Sequence, residues 1–169
     1  MNPQYFGDSF DIVKRFFIEN LNAIGYHVIV DPMLTGAWNG MEHCFYRFLK
    51  AYPLSEQSST KSALLLDPDT GIGKKKSKKH VTMKYIAEQL LKYDVVFSFD
   101  QSFTRGGNPV VEITEKLRSL QETGNHGFYY DSHARFLFAS KSPKKLGEVE
   151  KQLLASGLPA SRIVKIRSA

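Results

Sequence analysis

Ala63-Leu64-Leu65-Leu66-Asp67-Pro68-Asp69-Thr70-Gly71 is the stretch on which the fold turns. Four apolar residues in a row, with no polar alternate, suit a strand covered on both faces, and strands of that kind belong to parallel sheets. The run passes straight into a turn, so its carboxyl end carries Asp67 and Asp69. Asp94-Val95-Val96-Phe97-Ser98-Phe99 repeats the pattern and again ends on an acid, Asp100. Between the two, Met83, Ile86, Ala87, Leu90 and Leu91 recur at helical spacing behind Thr82, a residue suited to cap a helix. A strand, an amphipathic helix and a second strand make the repeating unit of a parallel sheet.

Toward the N-terminus, residues 9–21 place Phe10, Val13, Phe17 and Leu21 on one helical face, with Asp8 or Ser9 as cap and Gly25 as stop. Tyr26-His27-Val28-Ile29-Val30 is β-rich and halts at Asp31-Pro32, since proline cannot continue a ladder. Met41, Cys44, Phe45, Phe48 and Leu49 predict a second helix with Cys44 on its core face, and His27 is expected to be packed within its strand. Toward the C-terminus, Asn108-Pro109 opens a helix through Val110, Ile113, Leu117 and Leu120. Gly127-Phe128-Tyr129-Tyr130 and Arg135-Phe136-Leu137-Phe138-Ala139 then read as an antiparallel hairpin. Ser142-Pro143 begins a last helix that stops at Gly157, and Ile163-Val164-Lys165-Ile166 reads as an edge strand. The order predicts an α/β fold: a three-layer sandwich, its sheet mainly parallel, with helices on both faces and an antiparallel C-terminal hairpin.

The 169 residues fit a single domain over 1–169, and 42% hydrophobic content is enough for a core. One cysteine, Cys44, excludes an internal disulfide, and no Cys/His spacing matches a structural zinc site. No apolar run approaches the ~20 residues of a membrane span, and the N-terminus lacks the pattern of a signal peptide. A soluble protein of the reducing cytoplasm, without a membrane partner, is expected. The net charge is +6, yet five lysines lie within a basic loop over 72–80, namely Lys74, Lys75, Lys76, Lys78 and Lys79; without them the balance is +1. The basic character is therefore local, as a directed contact with an anion would want.

In open parallel sheets ligands bind beyond the carboxyl ends of the strands. Asp31, Asp67, Asp69 and Asp100 follow such ends here, and Asp8 stands near the first helix start. Gathered together, these five acids would hold a divalent cation such as magnesium or manganese, which prefers oxygen ligands. Each has a plainer reading as turn or cap chemistry. Gly71 would let the backbone approach a ligand closely. His133 is a lone acid or base candidate beside Asp131 and Ser132, residues too near it in sequence to complete a triad. Trp38, between Gly36 and Gly40, reads either as a ligand platform or as a lid on the core.

LLLDPDTGI, an amphipathic helix, DVVFSFDQSFTRG, another helix and HARFLFASKSPKKLGEV, taken in that order over the last two-thirds of the chain, resemble the S-adenosylmethionine-dependent methyltransferase fold, and in particular the three-Cys-motif partner proteins. The resemblance implies an S-adenosylmethionine site and a substrate-facing acid-Pro strand end at Asp67 and Pro68. It implies cofactor contacts at Asp31 and Gly36 as well, on a turn, Val30-Asp31-Pro32-Met33-Leu34-Thr35-Gly36, that carries no G-x-G. Catalytic candidates are then Asp67, Asp100 and His133.

The lysine segment suits phosphate contact, as does Arg105 in its Gly-flanked loop. Phe128, Tyr129 and Tyr130 read either as rings for stacking on bases or as core residues of an alternating strand. Three functions follow: a methyltransferase-like protein acting on or binding nucleic acid, a metal-dependent nuclease built on the aspartates, and a non-catalytic nucleic-acid binder. The sequence does not fix the oligomeric state.

Overall fold

A computed structural model describes residues 2–56, 61–75, 77 and 79–166. Helix α1 (Ser9–Ala23) is capped by Asp8, whose carboxylate accepts from the amides of Phe10 and Asp11. It leads to β1 (His27–Asp31), α2 (Glu42–Leu49), β2 (Tyr52–Pro53) and β3 (Ser62–Leu66). A small parallel ribbon follows, of β4 (Gly71–Ile72) and β5 (His80–Val81). Then come α3 (Met83–Gln89), β6 (Val95–Phe99), α4 (Pro109–Glu122), β7 (His126–Tyr130), β8 (Phe136–Ser140), α5 (Pro143–Ala155) and β9 (Ile163–Val164). Thr82, Asn108 and Ser142 cap α3, α4 and α5 through their side chains, as short polar residues before helices do.

Among the described residues, seven strands form the main sheet in the order β2-β1-β3-β6-β8-β7-β9. Strands β2, β1, β3 and β6 are parallel, whereas β8 runs antiparallel between β6 and β7. The predicted hairpin therefore forms, and it inserts its second strand into the sheet rather than adding both strands in sequence order. Strand β9 closes the edge against β7 and is two residues long, shorter than the predicted four.

The period-2 alternation of the strands divides the core. Val28, Val30, Leu65, Phe97, Phe136 and Phe138 point to one face, against Phe17 and Leu21 of α1, Phe45 and Leu49 of α2, and Val149 and Leu153 of α5. Ile29, Leu64, Leu66, Val96, Tyr129 and Leu137 point to the other, against Ile86 of α3 and Ile113, Leu117 and Leu120 of α4. The result is the three-layer α/β sandwich expected. Strands β3, β6 and β8 are buried at every position, which is why their sequences show no polar alternate.

The expectations for Cys44 and His27 are corrected, and the readings left open for Trp38, Phe128 and Tyr129 are resolved in favour of the core. Trp38 is 4% exposed and packs edge-on against Phe6 and Phe45, so it belongs to the core and not to a ligand platform. Cys44 is half-buried and outside the core, because Phe45 and Leu49 define the inward face of α2; its Sγ lies 3.4 Å from His43 Nε2. Phe128 and Tyr129 are fully buried, which removes them as platforms for bases. His27 is only partly covered, stacked on Tyr52 at 3.9 Å at the end of the sheet.

Candidate functional site

The sheet order creates a crevice where ligands of open α/β sheets settle. From β1 the chain moves by way of α2 to β2 on one side, and β3 lies on the other side of β1. Their helices α2 and α3 cover opposite faces of the sheet, so the loops beyond β1 and β3 diverge. A cleft of about 500 Å³ opens beside it, beyond β3 and β6, bounded by the start of α1, the turn after β3 and the end of β6.

Its floor is a buried ion cluster. Lys14 of α1 places Nζ 2.8 Å from Asp11 Oδ1 and 2.8 Å from Asp67 Oδ1. All three side chains are almost wholly out of solvent, at 4%, 0% and 2% exposure. Asp11 also accepts the amide of Gly7 at 2.8 Å. Burial alone would lower the pKa of the Lys14 ammonium, but the charges of Asp67 and Asp11 outweigh it and hold that pKa above the ordinary 10.5. Burial raises the Asp67 carboxyl above its ordinary 3.8 in spite of Lys14.

The walls are aromatic and acidic. Phe10 meets Phe99 edge-on at 5.1 Å and stacks on His133 at 5.5 Å, and Tyr5 lies across the opening. Asp8 and Asp69 line the cleft with Pro68, Thr70, Lys79 and Gln101. Asp69 accepts from the Thr35 hydroxyl at 2.8 Å, and the Thr70 hydroxyl donates to the Lys79 carbonyl at 2.7 Å.

The five aspartates proposed as metal ligands do not converge. Asp8 caps α1, Asp31 accepts the Met33 amide within its own turn, and Asp67 is held by Lys14. Among the described residues no three His, Cys, Asp or Glu side chains gather as a metal site would need. Asp100 is buried under five donors: Lys116 Nζ at 2.6 Å, the Tyr129 hydroxyl at 2.8 Å, the Ile72 amide at 2.9 Å, and the hydroxyl and amide of Ser102 at 2.6 and 3.1 Å. Both its oxygens are committed, so the catalytic and metal roles expected of Asp100 give way to that of a structural hub tying β4, α4 and β7 to the end of β6. Next to its charge, burial and Asp100 raise the Tyr129 phenol well above its ordinary pKa of 10.

Of the residues assigned to the cofactor by resemblance, Asp67 and Pro68 line the cleft, whereas Asp31 and Gly36 are not among its walls. The N-terminal segment covers Gly36: a Cβ there would lie 3.2 Å from Pro3 Cδ. Gly71 is required, though not for a ligand. Its φ is +120°, and a Cβ would stand 2.7 Å from both Asp100 Cα and Gln101 N. His133 is exposed at the rim, where its ring covers Phe10 and its carbonyl accepts from the Gln101 side chain. Asp131 pairs with Arg135 at 2.7 Å.

Lys74, Lys75 and Arg105 are exposed, and Lys79 borders the cleft. Lys76 and Lys78 lie outside the described residues. No helix of the described residues is long and apolar enough to cross a membrane.

Compared with models of protein families, with curated proteins and with solved structures, the chain matches none.

Sequence reasoning missed Asp11 and Lys14. The sign of them was present. Lys14 falls on the same helical stripe as Phe10, Val13, Phe17 and Leu21, and a cation on an apolar stripe needs a buried partner. The acid three residues before it on the helix is one such partner, and a strand-end carboxylate is the other.

Proposed function

We propose that the chain is a methyltransferase-like protein that binds nucleic acid, with the cleft beyond β3 and β6 receiving a nucleoside-bearing ligand. The observation that carries this reading is the cleft's make-up at the carboxyl edge of an α/β sheet: the rings of Tyr5 and Phe10, backed by the buried Phe99, beside the carboxylates of Asp8 and Asp69. A volume of about 500 Å³ lies within the range of pockets that enclose small organic ligands. Aromatic faces accept a purine or a cation, and carboxylates accept hydroxyl protons or balance positive charge.

S-adenosylmethionine combines these features, a flat base, ribose hydroxyls and a sulfonium cation, and would supply a methyl group. Asp8, Phe10, Asp69 and Phe99 are the residues placed to hold it, in place of the Asp31 and Gly36 that the resemblance implied. Lys14 and Asp67 would shape the floor, and Lys79 brings the basic loop to the rim. That loop supports the nucleic-acid half of the reading, because Lys79 lines the cleft and the exposed Lys74 and Lys75 belong to the same short segment.

The test is thermal unfolding with S-adenosylmethionine, with its demethylated product, and with magnesium or manganese alone, followed by a methyl-transfer assay on DNA and RNA. A ligand at a hundred times its Kd adds about 2.7 kcal/mol to native stability. For a chain of this size that corresponds to a rise in Tm of roughly 5–10 °C. A shift with the two nucleoside ligands and none with metal is the expected result. A shift with metal alone, accompanied by strand cleavage, would replace this reading with the nuclease one.

A further inference from the structure

The ribbon β4–β5 has two sides, and only one of them faces the cleft. Thr70 and Lys79 border the cleft, whereas Ile72, Gly73 and Thr82 line a second pocket of about 550 Å³ over α3 and α4. Three amines meet at this second pocket: Lys74 from the basic loop, Lys84 from α3 and Lys116 from α4. Hydroxyls of Ser102, Thr104 and Ser119 stand among them. Two carboxylates oppose them, and the two are not equivalent. Glu112 is already engaged, accepting the Thr104 amide at 3.0 Å, while Glu115 is exposed at the rim.

Lys116 is held in place by contacts on several sides. Its Nζ bonds Asp100 and the Ser102 hydroxyl, and it lies 4.3 Å from the centre of the Phe103 ring, with the Arg135 guanidinium 4.6 Å from that ring centre. With Lys116 neutralised by Asp100, the charges left to meet a ligand are Lys74 and Lys84 against Glu115 and a Glu112 turned toward the Thr104 amide. Amines and hydroxyls converging in one pocket are the ordinary donors to a phosphate. From Thr70 at the cleft to Gly73 at the second pocket the chain spans at most about 10 Å. That is short enough for one extended single strand to reach both pockets within a few nucleotides.

We infer that this second pocket holds a phosphate of the same single strand whose nucleoside reaches the cleft, with the strand crossing the β4–β5 ribbon between Lys79 on one side and Lys74 on the other. The inference rests on the nucleic-acid reading above and extends it to residues outside the lysine segment. Glu115 marks it out, since an acid at a phosphate pocket weakens binding and its removal strengthens it.

The experiment is fluorescence anisotropy of the full chain with labelled 12-nucleotide single-stranded DNA and RNA over a series of salt concentrations. Lys84→Glu and Glu115→Gln probe the pocket. Lys151→Glu on α5 and Glu122→Gln at the far end of α4 make the same charge changes elsewhere. The expected result is a loss of about fivefold or more for Lys84→Glu, with the salt slope reduced by about 0.7 for the phosphate released. Glu115→Gln should tighten binding two- to threefold, and both controls should change it by less than that. Lys84→Glu behaving like Lys151→Glu, or Glu115→Gln bringing no improvement over Glu122→Gln, would overturn the second pocket while leaving the nucleic-acid reading intact. Failure of the unaltered protein to bind either strand at low salt would overturn both.

Discussion

Replacing Lys14 by methionine is the most searching perturbation of the cleft floor. Lys14 serves two carboxylates at 2.8 Å, and all three groups are buried, so the change strands Asp11 and Asp67 without a counter-charge. Breaking a buried ion pair by removing one partner costs about 3–5 kcal/mol. A domain of this size has roughly 5–15 kcal/mol in all, so about a fifth or more of its stability would go. Near the midpoint that equals a fall in Tm of roughly 6–20 °C.

Asp67→Asn should behave differently. It keeps a side chain that can accept from Lys14 and leaves Lys14 paired with Asp11, so no buried charge is stranded and its cost should be clearly smaller than that of Lys14→Met. The pH dependence separates the two further. Asp67 has its pKa raised in the folded state, so its proton binds the native chain first as pH falls. The stabilisation from that proton is fully present below 3.8 and is lost as pH rises through the folded value. Asp67→Asn should flatten stability over that interval. Lys14 is raised above 10.5, so its contribution is complete below 10.5 and disappears only at higher pH. Urea unfolding, followed by the fluorescence of the buried Trp38 and by circular dichroism at several pH values, measures all of this. Equal losses for Lys14→Met and Asp67→Asn, or a loss below about 1 kcal/mol for Lys14→Met, would refute the account of the floor as one cation shared by two acids.

Gly71→Ala should cost about 2–4 kcal/mol in the same unfolding assay, since it adds left-handed strain to a clash with the backbone of Asp100 and Gln101. Tyr129→Phe removes a hydroxyl that donates to the buried Asp100 carboxylate, and a loss of about 1.5–3 kcal/mol is expected. Changing Lys74, Lys75, Lys76, Lys78 and Lys79 together to alanine should weaken nucleic-acid binding and reduce the salt slope by about 0.7 for each phosphate no longer neutralised. Anisotropy showing an unchanged slope would remove the loop from the interface.

The sheet and its helices were legible because each is set by a local rule. The helix caps at Asp8, Thr82, Asn108 and Ser142, and the apolar runs of β3 and β6, give element type and order without tertiary information. The insertion of β8 between β6 and β7 was not, because strand pairing depends on which surfaces the crossover through α4 leaves open. Cys44 misled for a related reason: a short helix admits two apolar stripes, and only packing of Phe45 against Phe6 and Trp38 selects one. The site was partly legible. Asp67 and Pro68 were placed at the cleft by the rule for strand ends, but that rule says nothing of what else pairs with an acid. Asp67 went to Lys14, across 53 residues of sequence, and Asp100 to Lys116 and Tyr129, pairings that no spacing displays.

The bond from the Ile72 amide to Asp100 has a thermodynamic corollary. It fastens the start of the basic segment to the sheet, so Lys74, two residues on, rides on a stiff mount and not on a free tether. Docking then immobilises side chains alone, without freezing the backbone that bears them, and this ordering was already complete when the chain folded. Loosening the mount, as Gly71→Ala would, should slow complex formation even where every amine is left untouched.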